Sequence, residues 1–140
     1  MKKFLSIIVV LLIAAIICSC QKSGVNPANP LLGKWNVKID SLDYGIGPVQ
    51  QTKTYTGVPG DYFDFRNDNK LYIKEGNQLD TFNYKVISAS KLQVVPLSAP
   101  NSIPLNLFID TLTTSSASIN FFPSLVNPGG NDDRWVSLER

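Results

Sequence analysis

Histidine is absent from all 140 residues of this chain. Without an imidazole there is no Ser-His-Asp or Cys-His catalysis, and the commonest metal ligand in proteins is missing. The only two cysteines, Cys18 and Cys20, are too close in sequence to close a useful disulfide loop. A Gly-rich phosphate-binding loop is absent as well. The sequence therefore offers little for nucleophilic, metal or phosphate chemistry.

Carboxylates are the remaining candidates for catalysis, since the chain has 11 acidic residues. A carboxylate pair can serve a glycosidase, but most of these residues fall in predicted turns or at outward strand positions, where solvation explains them. The stretch 64–69 resembles a calcium loop only in composition, because Arg66 stands at a ligand position and the central glycine is missing. We expect no enzyme activity, no metal site and no cofactor.

An excess of charge is also lacking. The 13 basic residues nearly balance the 11 acidic ones, and removal of residues 1–19 takes away Lys2 and Lys3, which leaves 11 of each sign. A chain of this balance has no electrostatic attraction for nucleic acid. We therefore expect no nucleic-acid partner.

One long apolar run occurs, and it lies at the N-terminus. Lys2 and Lys3 precede an apolar stretch from Phe4 to Ile17 that only Ser6 interrupts. Its 14 residues are fewer than the roughly 17 to 25 that cross a bilayer. A basic start and a short apolar core are typical of a secretory signal. A lipid anchor, a plain cleaved signal and a spanning helix remain as alternatives, and the short core favours the first.

The end of this run resembles a bacterial lipobox, in which a small residue precedes a cysteine that is acylated and becomes the mature N-terminus. Ser19 and Cys20 take these places. The resemblance implies a signal peptide over residues 1–19, a Cys20 that carries fatty acyl chains such as palmitate, and a membrane anchor; two or more chains hold a protein stably. Because Gln21-Lys22-Ser23 lacks acidic export signals, we expect the periplasmic face of the outer membrane.

The mature chain divides into a tether and one domain. Residues 20–30 are rich in turn formers and predict a flexible tether, whereas residues 31–140 have the length of a single domain. Alternating apolar residues dominate the domain, and they place Trp35, Val37 and Ile39 on one strand face. Polar turn sequences such as 67–69 and 75–77 separate the runs. This pattern predicts an all-β sandwich or barrel of about eight or nine strands.

A family resemblance begins at Gly33-Lys34-Trp35, which is similar to the Gly-x-Trp motif of the first strand in lipocalins. The order of the later strand sequences resembles the short lipocalin-like domain lipoproteins of Gram-negative bacteria. The resemblance implies an antiparallel up-and-down eight-stranded barrel. It also implies that Gly33 and Trp35 lie at the closed end, where an arginine from near the chain end, Arg134 or Arg140, packs over the tryptophan.

Such a barrel is either filled with side chains or holds one small ligand. The candidate ligand-binding residues are apolar or aromatic and stand at predicted inward positions: Phe63, Phe65, Leu71, Ile73, Phe82, Tyr84, Leu105, Leu107, Ile119 and Phe121. Core and ligand pocket are both mostly apolar, so the sequence leaves the two roles open. The resemblance implies noncatalytic binding or carriage of a small apolar ligand. The alternative is a filled barrel that acts as a structural or protein-interaction module of the envelope, which outward aromatics such as Tyr72, Phe108 and Phe122 would favour.

The lipid anchor can be tested at Cys20. We expect Cys20→Ala to leave the chain unprocessed or released from lipid, because the acylated thiol is lost. Metabolic labelling with a fatty acid followed by gel electrophoresis measures the incorporation. Label that persists in Cys20→Ala would contradict the assignment of the anchor to this residue.

Overall fold

The computed structural model describes residues 29–45, 47–122 and 132–140 of the chain. The predicted signal peptide and Cys20 lie outside this part, as does most of the predicted tether. Nearly all of the described residues therefore fall in the predicted domain, 31–140. Within the described part, no helix is long and apolar enough to span a membrane.

The described residues form nine β-strands and one short 3₁₀ turn at Gly47–Val49. The strands are β1 (Gly33–Tyr44), β2 (Gln51–Thr56), β3 (Tyr62–Phe65), β4 (Lys70–Glu75), β5 (Gln78–Ser88), β6 (Lys91–Pro96), β7 (Leu105–Leu112), β8 (Ser116–Phe122) and β9 (Asp133–Glu139). From β3 to β9 each strand pairs antiparallel with the next, and β9 pairs with β1. This last pairing closes the sheet into a barrel.

Two of the nine strands share one position in the barrel. β3 pairs with residues 33–36 of β1, and β2 pairs with residues 39–44 on the same edge. β2 and β3 thus form one strand that is interrupted at residues 57–61, and the barrel has eight strand positions. The prediction of an all-β, up-and-down, eight-stranded antiparallel barrel is confirmed.

Short polar turns join β3 to β4 and β4 to β5, as their sequences predict. Asn69 has a φ of 63° between β3 and β4, and Gly76 has a φ of 57° between β4 and β5. Asparagine and glycine tolerate this left-handed backbone better than other residues. The turn chemistry therefore fixes where these hairpins reverse.

The barrel interior holds the apolar core. All ten candidate ligand-binding residues are at most 5% exposed. Phe63 and Phe121 meet edge to face with ring centroids 6.0 Å apart, and Phe65 meets Tyr84 in the same way at 5.8 Å. Full burial of a large apolar side chain stabilises a fold by about 1.5 to 3 kcal/mol. These side chains therefore belong to the apolar core that stabilises the barrel.

We call the end of the barrel where β1 begins the base. Trp35 is fully buried there, and its Nε1 donates a hydrogen bond to the Leu31 carbonyl at 2.8 Å. The Arg140 guanidinium lies 3.8 Å from the centroid of the Trp35 ring and donates to the Leu32 carbonyl. Of the two arginines expected over this tryptophan, Arg140 is confirmed, and Arg134 lies elsewhere.

Packing at the base extends to Asn29, two residues before the predicted start of the domain at Leu31. Asn29 is 8% exposed and donates to the Tyr84 hydroxyl at 2.8 Å. That hydroxyl donates in turn to the Arg66 carbonyl at 2.7 Å. The chain entering the barrel is therefore tied to β5 and to the β3–β4 turn.

A β-bulge at Lys38 divides β1 into two parts. Val37 pairs with Leu138 of β9 and Ile39 pairs with Ser137, so Lys38 is an extra residue. One extra residue reverses which side chains face inward. Ile39 is 47% exposed, and the prediction that it shares the inner face of Trp35 and Val37 is wrong.

Gly57 lies beside the bulge at Lys38, on the edge of β1 that pairs with β2 and β3. The Gly57 N–H donates to the Lys38 carbonyl at 3.0 Å. A Cβ at this position would collide with the Val37 carbonyl oxygen. Only glycine fits here without a shift of the backbone, because only glycine has no side-chain atom.

Truncation of Trp35 tests the packing at the base. We expect Trp35→Ala to lower the free energy of unfolding by about 3 to 5 kcal/mol, because a buried indole is lost. Trp135 is the matched control, since it is half-buried on β9, and its alanine variant is expected to lose about 1 kcal/mol. Urea denaturation measures both. Equal losses in the two variants would contradict the packing described for Trp35.

Candidate functional site

A cavity of about 600 Å³ lies at the other end of the barrel, which we call the mouth. Its lining comes from strands β1, β2, β4, β5 and β9 and from the turn between β4 and β5: Asp40, Leu42, Lys53, Tyr55, Ile73, Glu75, Gly76, Gln78, Asp80 and Arg134. The volume is in the range of small-molecule sites. Most of the lining side chains are polar, so the mouth differs in chemistry from the core.

Arg134 at the start of β9 links two carboxylates of this lining. The side chain is buried, and its Nε donates to both Asp40 oxygens at 3.1 and 2.9 Å. Its Nη2 donates to Asp40 at 2.5 Å and to Glu75 Oε2 at 2.5 Å. The planar fork of an arginine suits such multiple contacts. One guanidinium thereby connects β1, β4 and β9.

Arg134 also contacts the aromatic core. Its guanidinium carbon lies 5.3 Å from the ring centroid of Phe121 and 6.0 Å from that of Phe63. A cation over an aromatic face at such distances is attracted by the ring quadrupole. The Arg134 side chain is therefore the boundary between the apolar interior and the polar cavity.

Glu75 is the carboxylate whose ionisation is most perturbed. Burial raises its pKa to about 7 and the negative charge of Asp40 adds to this, although Arg134 acts in the opposite direction. Its Oε1 is buried and accepts no hydrogen bond from the described residues. The group formed by Asp40, Glu75 and Arg134 thus changes its charge near neutral pH.

Asp61 holds one wall of the cavity. Its carboxylate accepts hydrogen bonds from the Tyr55 hydroxyl at 2.6 Å, the Gly76 N–H at 2.8 Å and the Val58 N–H at 2.9 Å. Burial by itself would raise the pKa of Asp61, but these hydrogen bonds and the charge of Lys74 lower it overall. An ionised Asp61 ties β2 to the β4–β5 turn and positions Tyr55 and Gly76.

Two carboxylates of the mouth pair with the guanidinium. Asp40 and Glu75 both accept hydrogen bonds from Arg134. Among residues 29–45, 47–122 and 132–140, no group of three or more histidine, cysteine, aspartate or glutamate side chains is placed to hold a metal ion. The lining of the cavity carries charged and hydrogen-bonding side chains.

The structure separates the residues that the sequence grouped as a ligand-binding set. Ile73 is the member of that set that lines this cavity, and the other nine pack in the core. Their role as ligand contacts stays a prediction. The charged residues of the mouth were not assigned to the site by sequence reasoning.

For two of these charged residues, the sequence contains a pattern that could have predicted their inward position. The alternation of Leu71 and Ile73 continues to Glu75, and the alternation of Leu138 and Val136 continues back to Arg134, so period two places both inward. Asp40 had no such signal, because its inward position depends on the bulge.

Comparison with known proteins gives no further guide to this site. The chain matches no protein-family model, no curated protein and no solved structure. The function is therefore inferred from the residues and their geometry.

The raised pKa of Glu75 predicts that stability falls with rising pH. The folded state binds this proton more tightly than the unfolded state, whose pKa is near 4.5. The stabilisation is therefore full below pH 4.5 and is lost as the pH rises through about 7. Relative to Glu75→Gln, we expect the wild type to lose about 2 to 3 kcal/mol between pH 5 and 8.

Urea denaturation across this pH range measures the effect. Glu139→Gln is the matched control, because Glu139 is an exposed carboxylate at the base, 3.0 Å from Lys38. This variant should keep the pH dependence of the wild type. A Glu75→Gln protein with an unchanged pH dependence would overturn the assignment of the titration to Glu75.

Proposed function

We propose that this protein is a lipid-anchored, lipocalin-like binding protein of the cell envelope that holds a small ligand in the cavity at the mouth. Cys20 attaches it to the outer membrane, on the periplasmic face. The observation that carries the proposal is the cavity of about 600 Å³ at one end of a closed barrel. Small-molecule sites commonly occupy the mouths of such barrels.

The base supports the lipocalin-like part of the proposal. Trp35 follows Gly33 at the start of β1, and Arg140 from the chain end covers its ring. This arrangement is the one that the Gly-x-Trp resemblance implies. A filled base leaves the mouth as the end at which a ligand enters.

The lining of the cavity indicates the kind of ligand. Leu42 and Ile73 supply apolar contacts, and the Tyr55 ring adds an aromatic one. Apolar surface buried against them stabilises a complex by about 25 cal/mol per Å². In this proposal, the part of the ligand that contacts these three residues is apolar, as the sequence predicts. The part that contacts the remaining, polar lining carries a polar group.

The binding is noncatalytic in this proposal because of the position of the carboxylates. Asp40 and Glu75 both accept from the same nitrogen of Arg134. The guanidinium thus occupies the space in which a glycosidase would place the scissile bond between its two carboxyl groups.

A structural or interaction module of the envelope is the second candidate. Aromatic residues on the outer face of the barrel support this alternative. Phe108 is 37% exposed and lies near Lys91. The Arg66 guanidinium carbon lies 4.2 Å from the centroid of the Tyr72 ring. Exposed aromatic residues are common at protein interfaces. The side chain of Phe122, the third aromatic of this set, lies outside the described part.

Occupation of the cavity can be tested with a pair of tryptophan variants. Leu42→Trp fills the cavity, whereas Leu79→Trp adds the same side chain at a 56% exposed position on β5. Native mass spectrometry of the full chain purified from envelopes should detect a retained small molecule in the wild type and in Leu79→Trp. Leu42→Trp should lose it.

Circular dichroism must accompany this measurement, since overpacking costs about 1 to 3 kcal/mol. Retention of the molecule by a folded Leu42→Trp would place it outside the cavity. A wild type that carries no small molecule but copurifies with another envelope protein would favour the interaction module.

A further inference from the structure

Asp40 and Glu75 meet at one nitrogen atom of Arg134. Both carboxyl groups accept a hydrogen bond from its Nη2, at 2.5 Å each. Two carboxylates held this close repel each other when both are ionised. One guanidinium balances only one of the two negative charges. A single proton on the pair therefore removes the repulsion and makes the group of three side chains neutral.

The surroundings of Glu75 favour its protonated form. Burial is the largest cause of its raised pKa, Arg134 lowers it, and the charge of Asp40 and a hydrogen bond with Asp40 raise it further, to about 7. An ionised carboxylate only accepts, so a hydrogen bond between two carboxyl groups requires a proton on one of them. Glu75 Oε1 also lacks a donor among the described residues, and such a donor would favour the ionised form.

With this proton in place, the lining of the cavity has no net charge. Asp40 and Asp80 then balance Lys53 and Arg134. The Nε and Nη2 atoms of Arg134 already donate to carboxyl groups, so an entering anion must first displace one of them. Ions of either sign lose hydration when they enter, and no net charge of the lining compensates them. An uncharged ligand avoids this cost.

We propose that Asp40 and Glu75 share one proton, and that the cavity in this state binds molecules with an apolar body and an uncharged polar group. The inference rests on the proposed function and names the ligand class of that site. The apolar body lies against Leu42, Ile73 and the ring of Tyr55. The polar group, such as a hydroxyl, contacts the remaining, polar lining.

The bound ligand and the proton stabilise each other. The Glu75 side chain lines the cavity and is 21% exposed. A ligand that covers this exposed part removes water without supplying a charge, so it favours the protonated form. Binding therefore takes up a proton and weakens as the pH rises. The charged or titratable groups around Glu75 are Asp40 on β1, Lys53 and Tyr55 on β2, Asp61 between β2 and β3, Lys74 on β4, Asp80 on β5 and Arg134 on β9.

NMR with ¹³C-labelled glutamate locates the proton, because Glu75 and Glu139 are the only glutamates of the chain. The full chain is labelled at the side-chain carboxyl carbon and titrated in detergent micelles. The signal that is lost in Glu75→Gln and kept in Glu139→Gln should titrate near pH 7. If Glu75→Gln does not fold, Glu139→Gln identifies the signal by elimination. A Glu75 carboxyl that is ionised throughout the range from about pH 5 to 8 would refute the shared proton.

Three probes with the same apolar body test the ligand class: hexanol, hexylammonium and hexanoate. Each is titrated calorimetrically into the full chain in the same micelles at about pH 6 and 8, and the titration into empty micelles is subtracted. At pH 6 we expect hexanol to bind at least about tenfold more tightly than either ion. From pH 6 to 8 its affinity should fall about tenfold, because the protonated fraction of a group with a pKa of about 7 falls by this factor.

The Glu75→Gln variant separates the proton from the shape of the cavity. Its amide is uncharged at every pH, keeps an oxygen acceptor for Arg134 and offers an N–H donor to Asp40. This variant should bind hexanol at pH 8 as tightly as the wild type does at pH 6. Glu139→Gln makes the same chemical change at an exposed position and should keep the pH dependence of the wild type.

Other outcomes overturn separate parts of the inference. Tighter binding of hexylammonium or hexanoate at pH 6, lost in Leu42→Trp, would refute the uncharged class and leave the binding function intact. Equal hexanol affinity of the wild type at both pH values would refute the link between ligand and proton. If no probe binds, the ligand class fails, and the molecule retained by the envelope-purified protein decides the binding function separately.

Discussion

The register shift at Lys38 determines how β1 contributes to both ends of the barrel. Before it, Trp35 and Val37 face the interior and complete the base. After it, Asp40 and Leu42 take the inward positions, opposite Val136 and Arg134 of β9. The chain accommodates this shift because Gly57 allows the close approach of the interrupted partner strand. A regular β1 would turn Asp40 to solvent and leave Arg134 without its main partner.

The buried guanidinium of Arg134 imposes the next constraint. A buried charge is strongly destabilising unless it is paired and hydrogen-bonded. Two carboxylates and two aromatic rings meet this need, and their positions exclude an apolar core from the mouth. Replacing such a cluster by apolar side chains often leaves stability unchanged. The cluster lies beside the cavity, and this position supports the proposal of a binding function.

The two ends of the barrel have different physical roles. At the base, Arg140 covers Trp35 with its guanidinium and satisfies backbone carbonyls, so the polar group completes an apolar structure. At the mouth, charged side chains line an open volume, and Asp61 fixes the wall through three hydrogen bonds. The hydrogen bonds of Asp61 hold Tyr55 and Gly76 at the wall of the cavity, and such preorganisation favours the binding of a ligand that fits.

Local alternation and turn chemistry were enough to predict an all-β domain and its turns at Asn69 and Gly76. The barrel and an arginine over Trp35 were expected from the resemblance at Gly33-Lys34-Trp35, and alternation alone left a sandwich open. Extending the alternation also reaches Glu75 and Arg134. The inward position of Asp40 and the cavity beside these residues are visible only in the folded chain. The reason is that a bulge and an interrupted strand depend on the register between strands distant in sequence, which period-two alternation within one strand does not contain.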